Sequence, residues 1–268
     1  VRITLIDHFE RSTAKKTVIG KRTMKELTKA IALAGVMTTG LTGAQLAQAE
    51  VDVSASAAVA SMYLWRGLDL GNGSPAVSGD ITLSAGGAYA TMWTSSGDSA
   101  AGNEYDLAVG YGGEMEGFSY DISVWTYVYP SAGNFSYVDT TDEDGNGIAD
   151  VLESEQDTSG NTFDLSELIV SLGYEGASFS YYYPVSSNPN DYSYLTLGYG
   201  MGAFSAMAGI TMVEDDAGED AGYTHLDLSY AYNDNLSFTA SKVVAEDEED
   251  SYDDDLKFVV SYSLPIDM

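Results

Sequence analysis

The sequence predicts an all-β protein: a transmembrane antiparallel up-and-down β-barrel of about 12 strands, preceded by a secretory signal peptide. Three observations lead there. From Glu50 onward apolar and polar residues alternate at period two, as in Phe118, Tyr120, Ile122, Val124 and in Leu226, Leu228, Tyr230, Tyr232. The 268 residues include 28 Gly and 20 Tyr but only 5 Pro, which favours short strands and tight turns. The connections between apolar segments alternate between very short and long, as hairpins do when turns crowd one rim of a barrel and loops the other.

The first 49 residues read as an address. Met24 opens MKELTKAIALAGVMTTGLTGAQLAQA, with Lys25 and Lys29 ahead of a moderately apolar run from Ala30 to Leu41, then Ala47-Gln48-Ala49 before Glu50. A basic start, an apolar middle and an A-x-A end make a signal peptide. The run is too short and too polar to span a bilayer as a helix. Residues 1–23 are then an upstream extension, with translation expected to start at Met24 and cleavage after Ala49. The expected mature domain is 50–268.

Strands are expected near 53–66, 76–85, 88–97, 104–114, 117–129, 164–174, 177–186, 192–201, 203–213, 223–232, 236–245 and 255–264. Most are about ten residues long, the length a tilted strand needs to cross a bilayer. Turns at Gly86-Gly87, Glu114–Gly117, Glu175-Gly176, Gly202 and Asn233–Asn235 are short; the connections at 67–75, 98–103, 130–163, 187–191, 214–222 and 246–254 are longer and polar. An even strand number then leaves both termini on the short-turn side, in the periplasm. Opposite Phe118, Tyr120 and Ile122 stand Ser119, Asp121 and Ser123, so one face is oily and the other wet. Period alone does not separate this from a soluble sandwich. The leader, the loop asymmetry and tyrosines near strand ends (Tyr63, Tyr111, Tyr174, Tyr232) favour the barrel.

Charge and composition exclude several function classes. Beyond residue 49 only Arg66, Lys242 and Lys257 are basic against 38 acids, so this part repels nucleic acid and attracts cations. No cysteine is present, which removes thiolate chemistry and cysteine metal sites. By alternation Asp80, Asp106, Asp121, Glu167 and Asp227 face the lumen, with Arg66 and Lys257 as counter-charges. Those two bases either pair with the acids and plug the barrel or leave a wet path. The runs 214–220 and 246–255 read as solvated acidic loop faces at the mouth.

One segment has the spacing of a calcium loop. In DEDGNGIADVLE, Asp142, Asp144 and Asn146 take the first, third and fifth places, Gly147 the turn, and Ile148 the carbonyl position; Asp150 stands ninth and Glu153 closes the site. A hard dication needs six to eight oxygens, and this order wraps them around one point. Ca2+ is therefore the expected cofactor, rigidifying the insert at 130–163 rather than acting as a sensor, since the flanks offer no apolar helix pair. Calcium should slow proteolysis of this insert, and an unchanged cutting rate at saturating calcium would count against the site.

The stretch YLWRGLDLGNGSPAVSGDITLSAGGAYATMWTSS, Tyr63–Ser96, resembles the opening of the TorF-like porins, a bacterial family. The shared elements are an aromatic before Arg66-Gly67, then Pro75-Ala76, a strand, and Gly-x-Tyr-Ala-x-x-Trp-x-Ser ending at Ser96. EYDLAVGYGGEMEGFSYDISVWTYVYP and LSELIVSLGYEGASFSYYYPVS are similar to the family's next hairpins. The resemblance implies an outer-membrane porin with no catalytic residue to carry over. Two features depart from it: the ending SYSLPIDM lacks a terminal aromatic, leaving Tyr262 or Phe258 to serve, and the Asp-rich insert is additional.

Together these readings predict a non-enzymatic, narrow, cation-preferring pore for small solutes, embedded in outer-membrane lipid. The rival is a non-conducting surface protein whose barrel anchors acidic loops. A lipase built on His225, Asp227 and Ser229 is disfavoured, because residues two apart on a strand sit about 7 Å from each other, too far for a relay.

Overall fold

The computed structural model describes residues 51–130, 165–186, 188, 190–215, 218–248 and 251–266. The leader 1–49 and the calcium-loop residues Asp142, Asp144, Asn146, Ile148, Asp150 and Glu153 lie outside the described residues.

The alternating segments form β1 (Asp52–Ala60), β2 (Leu64–Trp65), β3 (Leu68–Asp69), β4 (Ala76–Ala85), β5 (Ala88–Asp98), β6 (Gly102–Met115) and β7 (Phe118–Val128). Past the insert follow β8 (Ser166–Tyr174), β9 (Ala177–Pro184), β10 (Ser193–Met201), β11 (Phe204–Met212), β12 (Tyr223–Ala231), β13 (Leu236–Glu246) and β14 (Lys257–Ile266). All but β2 and β3 make one closed antiparallel barrel in which sequence neighbours pair. β1 completes the ring, with Ala57 opposite Leu264 of β14 on one side and Gly79 of β4 on the other. Closure leaves the ring no edge strand, so each of its strands finds hydrogen-bond partners on both sides, which hydrocarbon surroundings demand. No described helix is long and apolar enough to cross a membrane, which says nothing of a β-barrel.

The turns explain the register. At Glu116-Gly117 and Glu175-Gly176 both residues have positive φ, 52° and 83° in the first pair and 46° and 90° in the second. These are two-residue turns of the kind whose twist matches that of the flanking strands. A two-residue turn admits no slip, and a one-residue slip would turn every oily side chain inward.

The outer surface is apolar. Val109 is 61% exposed and Leu228 63%, and Ile122, Val124, Leu197 and Phe258 are exposed beside them. A continuous belt of this kind needs a lipid solvent rather than water. Near the short-turn end Phe204, Tyr230 and Phe238 stack in series, with centroids 4.9 and 6.5 Å apart, and Phe258 continues the row at 6.1 Å. Rings at this level form the aromatic girdle of a membrane rim.

The interior has two halves. Along β12, Ser229 and Asp227 are half-buried whereas His225 and Tyr223 are buried; along β8, Gly173 and Ser171 are half-buried whereas Ile169 and Glu167 are buried. The lumen is thus wet at the short-turn end and packed at the long-loop end. Two clusters fill the packed half. One joins Ala101, Leu165, Tyr192, Tyr194, Val213 and Ala221; the other joins Leu68, Tyr223, Val243 and Tyr252.

Two expectations about the ends of this barrel need correction. The expected first strand at 53–66 stops at Ala60, and the chain then turns into the lumen as the β2–β3 hairpin, with Tyr63 buried there rather than lying in the girdle. The acidic loop near 246–255 is not merely a solvated face: Tyr252 folds back, its ring 4.3 Å from that of Tyr223 and its hydroxyl donating to the Ala221 carbonyl at 2.8 Å.

Candidate functional site

The site is built around the tip of the β2–β3 hairpin. Leu64 pairs with Asp69 and Trp65 with Leu68, which leaves Arg66 and Gly67 as the two turn residues, at φ 46° and 85°. Gly67 is there because of its neighbour: a Cβ on it would lie 2.6 Å from the His225 side chain. The hairpin is anchored by Asp69, whose carboxylate accepts from the Gly71 and Gly73 amides at 2.9 and 2.6 Å. Ser99 of the next loop donates its amide to the Leu70 carbonyl at 2.8 Å, and Tyr223 donates to the Arg66 carbonyl at 2.9 Å.

Arg66 points into a seat made mostly by the barrel wall. Its Nη2 donates to both oxygens of Glu167, at 2.9 and 2.7 Å, and its Nη1 donates to the Tyr192 hydroxyl. Glu167 is 0% exposed and its Oε2 also accepts from Tyr127 at 2.6 Å. Ring faces of Trp65, Tyr182, Tyr192 and Tyr194 lie 4.5, 5.0, 5.5 and 4.5 Å from the guanidinium carbon. Burial would lower the Arg66 pKa, but Glu167, Tyr192 and Tyr127 beside it raise it above the ordinary arginine value. Burial pushes the Tyr192 phenol up to about 12 even beside Arg66, so at neutral pH it is a neutral hydroxyl accepting from a cation.

The expected lumen residues take different places around this seat. Glu167 holds Arg66. Asp106 is buried, and its Oδ1 accepts no hydrogen bond from any described residue. Asp121 accepts from Tyr89 at 3.1 Å, Asp80 accepts from Ser56, and Asp227 meets His225 Nδ1 at 3.0 Å. Lys257, expected as a counter-charge to these acids, is buried under its own loop instead. Its Nζ donates to the Asp253 and Asp255 carbonyls at 2.7 and 3.2 Å and lies 3.2 Å from Asp253 Oδ2. The loop is rich in acids and folds over its own foot, so the nearest oxygens to Lys257 are the loop's own.

The spacing argument against a relay on β12 also needs correcting. Although residues two apart start far from each other along the strand, rotamers can lean toward one another, and His225 reaches Asp227. Gly209 on β11 lets the imidazole continue. Lacking a side chain, it leaves the space in which His225 Nε2 meets the Tyr194 hydroxyl at 2.8 Å. Ser229 takes no part, since its hydroxyl pairs with Thr239 at 2.9 Å. The row ends in a phenol that is also a wall of the Arg66 seat.

Sequence reasoning missed Glu104, Tyr182, Tyr192 and Tyr194. Glu104 is in phase with Asp106 on β6 and could have been found by alternation; it accepts from Tyr129 at 2.6 Å and from Tyr63. Burial and then Glu104 push both phenols up, so they donate as neutral groups. Among the described residues no group of three or more His, Asp or Glu is placed to hold a metal ion.

Three solved structures of similar shape are a membrane protein from a study of in-meso crystallization, the KdgM porin, and outer membrane phospholipase A from Escherichia coli. The first has 9% identity and a TM-score of 0.45, covering 80% of this chain and 83% of that one. KdgM has 9% identity and a TM-score of 0.40, with coverages of 81% and 99%. The phospholipase has 12% identity and a TM-score of 0.36, with coverages of 78% and 88%. Likenesses this distant carry no functional assignment. No match is found among curated proteins. The profile described as "Bacterial protein of unknown function (Gcw_chp)" matches residues 44–263, nearly the whole barrel, and the chain belongs to that family.

Proposed function

We propose that the protein is an outer-membrane channel for the passive diffusion of small solutes, preferring cations, with the β2–β3 hairpin as its constriction. The observation that carries this reading is the graded lumen: half-buried polar positions at the short-turn end give way to a buried half that the β2–β3 tip enters. A barrel meant only as an anchor could fill its bore from the wall, as small barrels do. Here wall residues share the filling with a separate two-residue-stranded hairpin, which contributes Arg66 and Leu68. Cation preference is supported by the acid excess beyond residue 49 and by the acids facing inward. The resemblance of Tyr63–Ser96 to the TorF-like porins favours the same reading, and with it an outer-membrane location with periplasmic ends. Calcium held by Asp142, Asp144, Asn146, Ile148, Asp150 and Glu153 belongs to this proposal as a stiffener of the longest loop.

A non-conducting anchor is the second reading, favoured by the Arg66–Glu167 pair that closes the outer half. Single-channel recording in planar bilayers decides between them. Wild-type protein should give small cation-selective currents, and replacing 64–69 by a short Gly/Ser link should raise conductance about threefold or more, because the constriction sets the resistance. Silence from both forms would establish the anchor, and anion preference would overturn the charge argument.

A further inference from the structure

Most of the Arg66 seat does not belong to the hairpin that fills it. Glu167 stands on β8, Tyr182 on β9, Tyr194 on β10, and Tyr192 just before β10, all in the barrel wall. Only Trp65 travels with Arg66. The wall therefore carries a preformed receptor: a fully buried carboxylate with two oxygens in line, a phenol oxygen beside it, and three aromatic faces within 5.5 Å of the bound cation's carbon. Arg66 occupies it from a hairpin with two residue pairs, and does so from a left-handed backbone conformation that a non-glycine residue adopts at a cost. The side chain is held by the seat, while the tip's own backbone has one outside hydrogen bond among the described residues, from Tyr223 to the Arg66 carbonyl.

We propose that this seat is a binding site for small organic cations of the guanidinium and alkylammonium class, and that Arg66 is its built-in competitor. A solute of this class entering through the acidic mouth takes the Glu167 carboxylate, and the displaced hairpin opens the way to the wet half of the lumen. The chemistry of the walls sets the class. Aromatic faces favour weakly hydrated, delocalised cations over compact ones, and a planar guanidinium matches a carboxylate two bonds at a time. A hard metal ion would ask for six or more oxygens, which a single carboxylate and its phenols do not supply. Anions meet Glu167. The passage step rests on the channel reading, whereas the binding step does not.

The test separates the two. Full-length Arg66→Ala protein in detergent is heated with millimolar methylguanidinium chloride, with sodium chloride at the same concentration, and with urea as a neutral analogue of the same shape. Methylguanidinium alone should raise the midpoint, by about 3 °C at ten times its dissociation constant, and adding Glu167→Gln should abolish the shift. Arg66→Met, which keeps the packing of the arginine stem, carries the same readout if the alanine variant does not assemble. No methylguanidinium-specific shift in either variant overturns the site. In bilayers, methylguanidinium should reduce the sodium current of Arg66→Ala by half or more. A thermal shift with no change in current leaves the binding site standing and overturns passage through it.

Discussion

Arg66 has exchanged water for Glu167, Tyr192 and a set of ring faces, and its stability contribution depends on that exchange being complete. A buried guanidinium is tolerated when paired and costly when its partner is removed. Glu167→Gln should therefore lower the unfolding free energy by about 3–5 kcal/mol. Arg66→Met combined with Glu167→Gln should recover part of that loss, because neither charge is then stranded. Urea unfolding of the four proteins in detergent measures the coupling; costs that simply add would mean that the two side chains do not act as a pair. The inward side of the sheet on which Asp106, Asp121 and Glu167 stand was legible in the sequence, since period two is a property of the backbone. Their partners were not. Glu167 finds Arg66 at a separation of 101 residues and Tyr192 finds it at 126, distances over which no local pattern speaks.

The hairpins were the most readable elements. The short connections Gly86-Gly87, Glu175-Gly176 and the one ending at Gly117 fall where the alternation breaks, and the strands on either side of them have nearly the expected bounds. The Gly117 position, at φ 83° and with open space around it, isolates backbone strain from packing. Gly117→Ala should cost about 1 kcal/mol, read as a lower urea midpoint with an unchanged barrel signature in circular dichroism; no loss would mean that the turn relaxes to another type. The β2–β3 hairpin was the element misread. Its Leu-Trp-Arg-Gly-Leu-Asp run continues the apolar content of β1, so it looks like the end of one long strand. Only the Arg66-Gly67 pair, two residues with a glycine second, marked it as a turn.

At the scale of the molecule, the barrel is a soluble protein turned inside out: the oily belt is outside, and the packed tyrosine and carboxylate cluster is inside one end. That inversion makes a clear mutational contrast. Leu228→Arg, in the middle of the exposed belt, should destabilise the membrane-inserted barrel by about 2–4 kcal/mol, while Ser229→Arg next to it, aimed into the wet half of the lumen, should lower conductance and cost much less stability. Heat-dependent migration of the two variants reads the first effect and bilayer recording the second; equal destabilisation would contradict the assigned faces. The charge imbalance is a whole-molecule property as well, and the alternation could locate it without saying what it meets. The 34-residue insert carries eight of the 38 acids, and folding decides where two of the three bases go: Lys257 to its own loop, Arg66 to the opposite wall.

The separations bridged by the hairpin tip bear on the order of events during assembly. The contacts that seat Arg66 and its carbonyl reach forward by 101, 126 and 157 residues, to β8, to the residue before β10, and to β12. The Arg66 tip thus has no complete seat until β10, the eighth of the twelve ring strands, has been laid down. The stopper is made early and fitted late, so a half-built cylinder has no cork, and a corked one has already assembled the strands that hold it.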